Sequence, residues 1–134
     1  METLTFVTGN NHKFAEVQNA LQTHFPHLKL IQSKEILTEI QADTLDQVAV
    51  FKANSVIQKI KPPFFIEDAG FFVDDQLRGF PGVYSSYVMK TIGYNGILHL
   101  MDNSDQSRKA HFEAVIAYCD VNNDIHLFKG INEG

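Results

Sequence analysis

The segment FFIEDAGFFVDDQLRGFPGVYSSY, residues 64–87, constrains the fold more than any other part of the chain. Its apolar run Phe64-Phe65-Ile66 reads as a short strand and stops abruptly at two adjacent carboxylates, Glu67 and Asp68. Burying that strand delivers two acids to a sheet edge, a common way to place a metal ion or a general base in a cleft. A glycine, a second apolar run and the turn-forming Arg78-Gly79-Phe80-Pro81-Gly82 follow. We expect Phe71–Val73 to be a separate strand, set off from Phe64–Ile66 by a bend at Ala69-Gly70.

The rest of the chain supplies partners for such a strand. Leu4-Thr5-Phe6-Val7 reads as a short buried strand ending at Gly9. From Lys13 the apolar positions Phe14, Val17 and Leu21 follow helical spacing, and Asn10 or Asn11 can cap that helix. Leu28–Ile31 is a second strand, and Glu35–Asp43 has no period and reads as a loop. The clearest helix is Leu45–Ile60, where Leu45, Val48, Ala49, Ala53, Val56, Ile57 and Ile60 share one face. Thr44 and Gln47 have capping-box spacing at its start, and Pro62-Pro63 ends it. Ser85–Met101 reads as two short helical pieces interrupted by Gly93 and Gly96. Lys109–Asp120, the turn Asn122-Asn123-Asp124 and Ile125–Lys129 form a hairpin, with no further element over residues 130–134. The order β-α-β-α-β, then helix and hairpin, implies an α/β sheet with at least one antiparallel portion.

Composition narrows the function classes. A chain of 134 residues, 44% hydrophobic and 20% charged, can bury a core without disulfides. The net charge of −5 argues against a duplex nucleic-acid binder. Cys119 is the lone cysteine, so no intrachain disulfide can form and a reducing cytoplasm is the simpler compartment. No apolar run reaches membrane-spanning length, and the start METLTFVTGN lacks a secretory pattern.

Two segments carry the chemistry. Thr8-Gly9-Asn10-Asn11-His12-Lys13 lies where a strand turns into a helix, a place whose amides and dipole favour anions. Thr8, Asn10 and Asn11 add hydrogen-bonding side chains, and Lys13 adds a cation. The Gly-Lys-Ser/Thr spacing of a Walker loop is absent. From this segment alone, a helix cap followed by a solvated lysine is the simpler reading. Glu67-Asp68 can hold Mg²⁺, which takes oxygen ligands and keeps several waters, or can merely cap the next turn. A further acid from elsewhere would complete a metal site. Glu39 is the best candidate, with Glu35, Asp43 and Asp46 as alternatives. Lys52, at the edge of the helix's apolar face, reads on position alone as a snorkelling side chain. The six histidines form no zinc pattern, and Cys119 has no nearby base to make it a nucleophile. Asp74-Asp75 reads as a polar turn. Phe71, Phe72, Phe80 and Tyr84 read as core rather than as a base-stacking platform.

Together FVTGNNHKFAEVQ, TEIQADTLDQVAVFKA and FFIEDAGFFVDDQLRGFPGVYSSYVMKTIGYNGILHLM resemble, in order and spacing, the inosine/xanthosine triphosphate pyrophosphatases. This is the Ham1-like family acting on noncanonical purine nucleoside triphosphates, and the archaeal-type members are the most similar. The resemblance implies an elongated α/β fold with a mixed sheet, flanking helices and two lobes around a nucleotide cleft, usually a cytoplasmic homodimer. It implies Mg²⁺-assisted hydrolysis of ITP, dITP and XTP to the monophosphate and pyrophosphate. Carried over, Thr8, Gly9, Asn10, Asn11, His12 and Lys13 would hold the triphosphate, and Lys52 would meet phosphate charge. Glu39 and Asp68 would bind the metal with Glu67 in support, Asp68 would be the general base, and Ala69 would line the substrate. Ala69 departs from the Ser or Thr common in the family. The Phe-Gly-Tyr-Asp-Pro and Ser-His-Arg motifs with which the family continues do not occur in residues 1–134. The chain therefore reads as one Ham1-like domain, truncated at its C-terminus. A non-catalytic nucleotide-binding, metal-binding or structural module of the same fold is the alternative.

Overall fold

In the computed structural model, which describes residues 2–101 and 106–134, a mixed six-stranded sheet carries flanking helices. The elements are β1 (Thr3–Val7), α1 (Asn11–His24), β2 (Lys29–Ser33), α2 (Leu45–Val56), β3 (Phe64–Val73) and β4 (Pro81–Gly82), then α3 (Ser85–Thr91), α4 (Gly93–Leu100), β5 (Ala110–Cys119) and β6 (Ile125–Glu133). The sheet order is β2-β1-β3-β5-β6, with β4 paired to β3. Both neighbours of β1 run parallel to it: Phe6 pairs with Gln32 of β2 and with Phe65 of β3. The chain divides into two compact units. The first comprises Met1–Ile40, Ala49–Glu67 and Ile116–Phe128; the second comprises Gln41–Val48, Asp68–Val115 and Lys129–Gly134.

In the first unit the apolar β1 and β3 segments supply large buried side chains, Phe6, Val7, Phe64 and Ile66, and Ala49, Ala53 and Val56 of α2 are buried with them. Phe6 and Phe65, paired in register, stack with ring centroids 4.4 Å apart. Helix α1 buries none of its residues completely. Its Leu21, with Leu4, Phe25, Leu28, Tyr118 and Phe128, lines an apolar groove of about 1120 Å³. The turn after β5 is held by Asp120, whose Oδ1 accepts from the amides of Asn122 (2.8 Å) and Asp124 (3.1 Å). The His126 hydrogen bond first, and the Asp124 amide second, hold the Asp120 carboxyl below the usual carboxylate range.

The core of the second unit gathers Val73, Val88, Ile97 and Met101, with Phe71, Leu77 and Met89 packed against it. Helix α2 begins here with the expected capping box: Gln47 N–H donates to Thr44 Oγ1 (3.2 Å), and Thr44 N–H donates to Gln47 Oε1 (3.2 Å).

Several element boundaries differ from the sequence reading. Helix α2 ends at Val56, before Pro62-Pro63, because both Lys59 and Ile60 amides turn back onto the Val56 carbonyl. The expected bend at Ala69-Gly70 is absent, and residues 64–73 form one continuous strand. Gly70 is there for contact rather than for bending: a Cβ on it would lie 2.6 Å from the Gly82 carbonyl oxygen of β4. Ser85, at the start of α3, fastens this junction by donating to Gly82 O (2.6 Å) and accepting from Phe71 N–H (2.8 Å). The α3–α4 break falls at Ile92-Gly93, where Gly93 has φ +64°, whereas Gly96 lies within α4. A Cβ on Gly96 would meet the Ile92 side chain at 2.4 Å, so this glycine serves packing. Strand β6 extends to Glu133, beyond the expected end at Lys129. Phe80 and Tyr84, expected in the core, are 39% and 45% exposed. They lie in the turn after β3 and just before α3, where their backbone groups make hydrogen bonds.

Gly70→Ala is expected to destabilise the fold by about 1–3 kcal/mol, because the methyl must displace a carbonyl rather than a flexible side chain. Gly130→Ala, where the space is open, should stay within about 0.5 kcal/mol. Urea unfolding of both variants measures the difference, and equal midpoints would contradict the close-approach reading.

Candidate active site

Strand order 2-1-3 makes β1 a topological switch point. The connection leaving β1 through α1 goes to one side of it, and the connection through α2 returns on the other. In α/β sheets, ligands bind outside the carboxyl ends of strands at such a point. Here the carboxyl end of β1 opens into Thr8–Lys13, and the neighbouring β3 carries Glu67 and Asp68. The Thr8–Lys13 loop and Glu67 are thus carried by paired neighbouring strands.

The loop is built by its own side chains. Asn10 is the cap of α1, its Oδ1 accepting from the Lys13 amide at 3.0 Å, and Thr8 Oγ1 accepts from the Asn10 amide at 3.1 Å. Thr8 N–H donates to Ser33 O of β2 (2.8 Å). Gln32, one residue before Ser33, donates from Nε2 to Thr8 O (3.1 Å) and to Asn11 Oδ1 (3.0 Å). Gln32 was not singled out by the sequence reading; its only signal is an amide interrupting the Leu30-Ile31 apolar run. Gly9 and His12 are exposed, and a Cβ on Gly9 would meet nothing within 4 Å, so the loop backbone is open to close approach.

The helix-cap reading of this loop is correct, but Lys13 is not a solvated lysine. Its ammonium forms an ion pair with Glu67 Oε1, and both side chains are partly buried. This contact joins the loop after β1 to Glu67 of β3. As consecutive strand residues, Glu67 and Asp68 project from opposite faces of β3. Asp68 is half-buried and is engaged in interactions of its own.

Lys52 departs most from its sequence reading. A snorkelling lysine keeps its ammonium in water, yet this side chain is only 7% exposed. A buried ammonium requires acidic partners. Glu39 supplies one, with its Oε1 3.0 Å from Lys52 Nζ. Glu39 itself lies in the irregular segment after β2 and is 69% exposed. The alternatives are occupied differently: Glu35 meets Lys59 at 3.8 Å and Asp46 meets Lys129 at 3.0 Å. In the second unit Ala69 lines a pocket of about 240 Å³ with Gly70, Phe71, Ser85, Met89 and Phe112. Cys119 is buried, and burial pushes its thiol above the ordinary value, which suits a core residue and not a nucleophile.

Comparison with known proteins decides the lineage. The Ham1 family profile matches residues 4–134. The dITP/XTP pyrophosphatase of Thermococcus kodakarensis is 46% identical over 131 residues, covering 98% of this chain and 68% of that protein. The chain belongs to the Ham1 family. The dITP/XTP pyrophosphatase of Pyrococcus horikoshii is 41% identical over 129 residues, covering 96% of this chain and 67% of its own length. Among solved structures, the Staphylococcus aureus Ham1 protein superposes with a TM-score of 0.79 at 21% identity, covering 99% of this chain and 71% of that one. A Ham1 protein from Coxiella burnetii gives 0.75 at 26% identity, covering 100% and 72%. The chain thus spans about two thirds of the length of these Ham1 relatives.

Among the described residues no group of three or more His, Cys, Asp or Glu side chains is placed to hold a metal ion. The available donors are carboxylate oxygens in ones and twos, a set that suits a hard cation retaining water and ligand oxygens better than zinc.

Asn10→Ala should cost about 1 kcal/mol through loss of the α1 cap, while Asn10→Asp should keep most of it. Urea unfolding tests both, and an unchanged midpoint for the alanine variant would remove the cap from the account.

Proposed function

We propose that this Ham1-family chain hydrolyses noncanonical purine nucleoside triphosphates such as dITP and XTP to the monophosphate and pyrophosphate. The observation that carries this reading is the Lys13–Glu67 ion pair at the β1 switch point. It couples an anion-favouring helix start to the strand that bears Asp68, which is what phosphate chemistry at a carboxylate requires. The naming of the relatives as dITP/XTP pyrophosphatases supports the choice of substrate.

In this reading the Thr8–Lys13 loop receives the triphosphate, with Gly9 allowing close backbone approach and Asn10, Asn11 and His12 edging it. Lys13 and Lys52 offset charge on the phosphates, and Ala69 borders the substrate. Glu39 and Asp68 would hold Mg²⁺, and Glu67 supports them by fixing Lys13. Bound there, Mg²⁺ would supply charge neutralisation for the phosphate chain. Asp68 takes a proton from water as the water oxygen bonds to the α-phosphorus. The bond from that phosphorus to the α,β-bridging oxygen breaks, and pyrophosphate leaves. Such a nucleotide-cleansing activity belongs with the cytoplasmic nucleotide pool, and we extend the family's homodimer to this chain.

Pyrophosphate release from ITP and XTP, compared with ATP and with and without Mg²⁺, tests the reading. Asp68→Asn is expected to lower turnover by about 10²–10⁴-fold, the usual contribution of a general base, with unfolding unchanged. Near-normal activity in that variant would move the base elsewhere. No Mg²⁺-dependent turnover of either substrate by the unaltered chain would overturn the proposal, and binding without turnover would favour a nucleotide-binding module.

A further inference from the structure

A second cluster of ionisable side chains lies within the second unit and takes no part in the proposed hydrolysis. His111 of β5 has Nδ1 2.7 Å from Asp74 Oδ1, just past the end of β3, and Nε2 2.8 Å from Glu113 Oε2 on its own strand. Glu113 also meets Lys129 of β6 at 3.5 Å, and Lys129 meets Asp46 in the first turn of α2 at 3.0 Å. The imidazole lies flat against Phe72, with centroids 4.7 Å apart and planes 3° from parallel. The charges alternate along the chain of contacts: Asp46, Lys129, Glu113, His111, Asp74.

We infer that His111 is a pH-sensitive clasp, closed as the imidazolium, that ties the end of β3 to β5 and, through Glu113 and Lys129, to β6 and the start of α2. An ionised carboxylate only accepts, so a ring facing one carboxylate at each nitrogen must donate from both. Only the cation has two N–H groups. Loss of its proton turns one nitrogen's lone pair toward a carboxylate, and that contact must open. The Phe72 ring face adds a further preference for the cation. The environment acts in the same direction. The Glu113 hydrogen bond is the largest influence and the Asp74 contacts add to it; together they hold His111 above the ordinary histidine value although partial burial works against them. Lys129 opposes the effect from one side by sharing Glu113, and is itself held in its charged form chiefly by Asp46.

A histidine whose folded value is raised contributes stability in full below about pH 6.5, its unfolded value. That contribution is lost as pH rises through the folded value. The clasp is therefore shut in mild acid and opens toward alkaline pH.

The test is a nuclear magnetic resonance titration of the His111 ring protons in the full 134-residue chain, with urea unfolding across the same pH range. The His111 midpoint should lie above about 6.5, and Glu113→Gln should move it down. The wild-type unfolding midpoint should fall between the unfolded and folded values, and His111→Gln should lack that fall. A His111 midpoint at or below the ordinary value overturns the clasp, as does a pH profile for His111→Gln parallel to the wild type. If His111→Gln fails to fold, the ring titration of the wild type and of Glu113→Gln decides alone. No nucleotide is needed, so these outcomes are independent of whether the chain hydrolyses one.

Discussion

Strands β2 and β3 pair in parallel with opposite edges of β1, and the candidate site depends on that placement. Had both paired on one side, the loop after β1 would be separated from the β3 acids by an intervening strand. Because they flank it, the Thr8–Lys13 loop has Ser33 and Gln32 of β2 on one side and Glu67 of β3 on the other. Each neighbour contributes something different. Backbone and amide bonds from β2 set the loop's shape, whereas the Lys13–Glu67 ion pair ties it to β3. Loop shape and electrostatic linkage therefore come from separate strands, and a change in one need not disturb the other.

Strand β3 has to do two incompatible things at once. Its first half is completely buried at Phe64 and Ile66, yet the next two residues are carboxylates that cannot be buried unpaired. Continuity of the strand through Gly70 resolves this. With no side chain there, β4 approaches closely enough for Ser85 to tie Phe71 to Gly82, and the second half re-enters a core through Val73. The acids therefore lie within a continuous strand rather than at a strand end.

What could be read from the sequence was whatever depends on local pattern. The Thr44–Gln47 capping box, the Asn10 cap and the break at Gly93 are local backbone chemistry, and each is found where its residues predict. Features set by partners distant in sequence were not legible. Nothing within residues 45–60 reveals that Lys52 is buried against Glu39. Nothing around Asp74-Asp75, which reads as a polar turn, signals that His111 lies 2.7 Å away. Gly70 was misread because a glycine needed for close approach and one needed for a bend look identical until the opposing strand is known. The acid pair and the loop were identified by resemblance across three segments; their residues alone supported helix and turn caps equally well.

Two of the Lys–Glu pairs of the first unit, Lys13–Glu67 and Lys52–Glu39, are built unequally, and the inequality bears on how such a site can work. Lys13 and Glu67 are both partly buried, at 35% and 16% side-chain exposure. Lys52 is buried while Glu39 is largely in solvent. Holding a buried ammonium in place is the work of the scaffold, whereas an exposed carboxylate on an irregular segment loses little by turning away. The lysine charge is therefore the fixed element of that pair and the glutamate the movable one. A fixed cation beside a movable acid can exchange its partner for a phosphate without exposing an unpaired charge, and the released carboxylate is then available to a metal ion. The opposite arrangement, a mobile lysine on a buried glutamate, would leave a buried negative charge facing an anionic substrate.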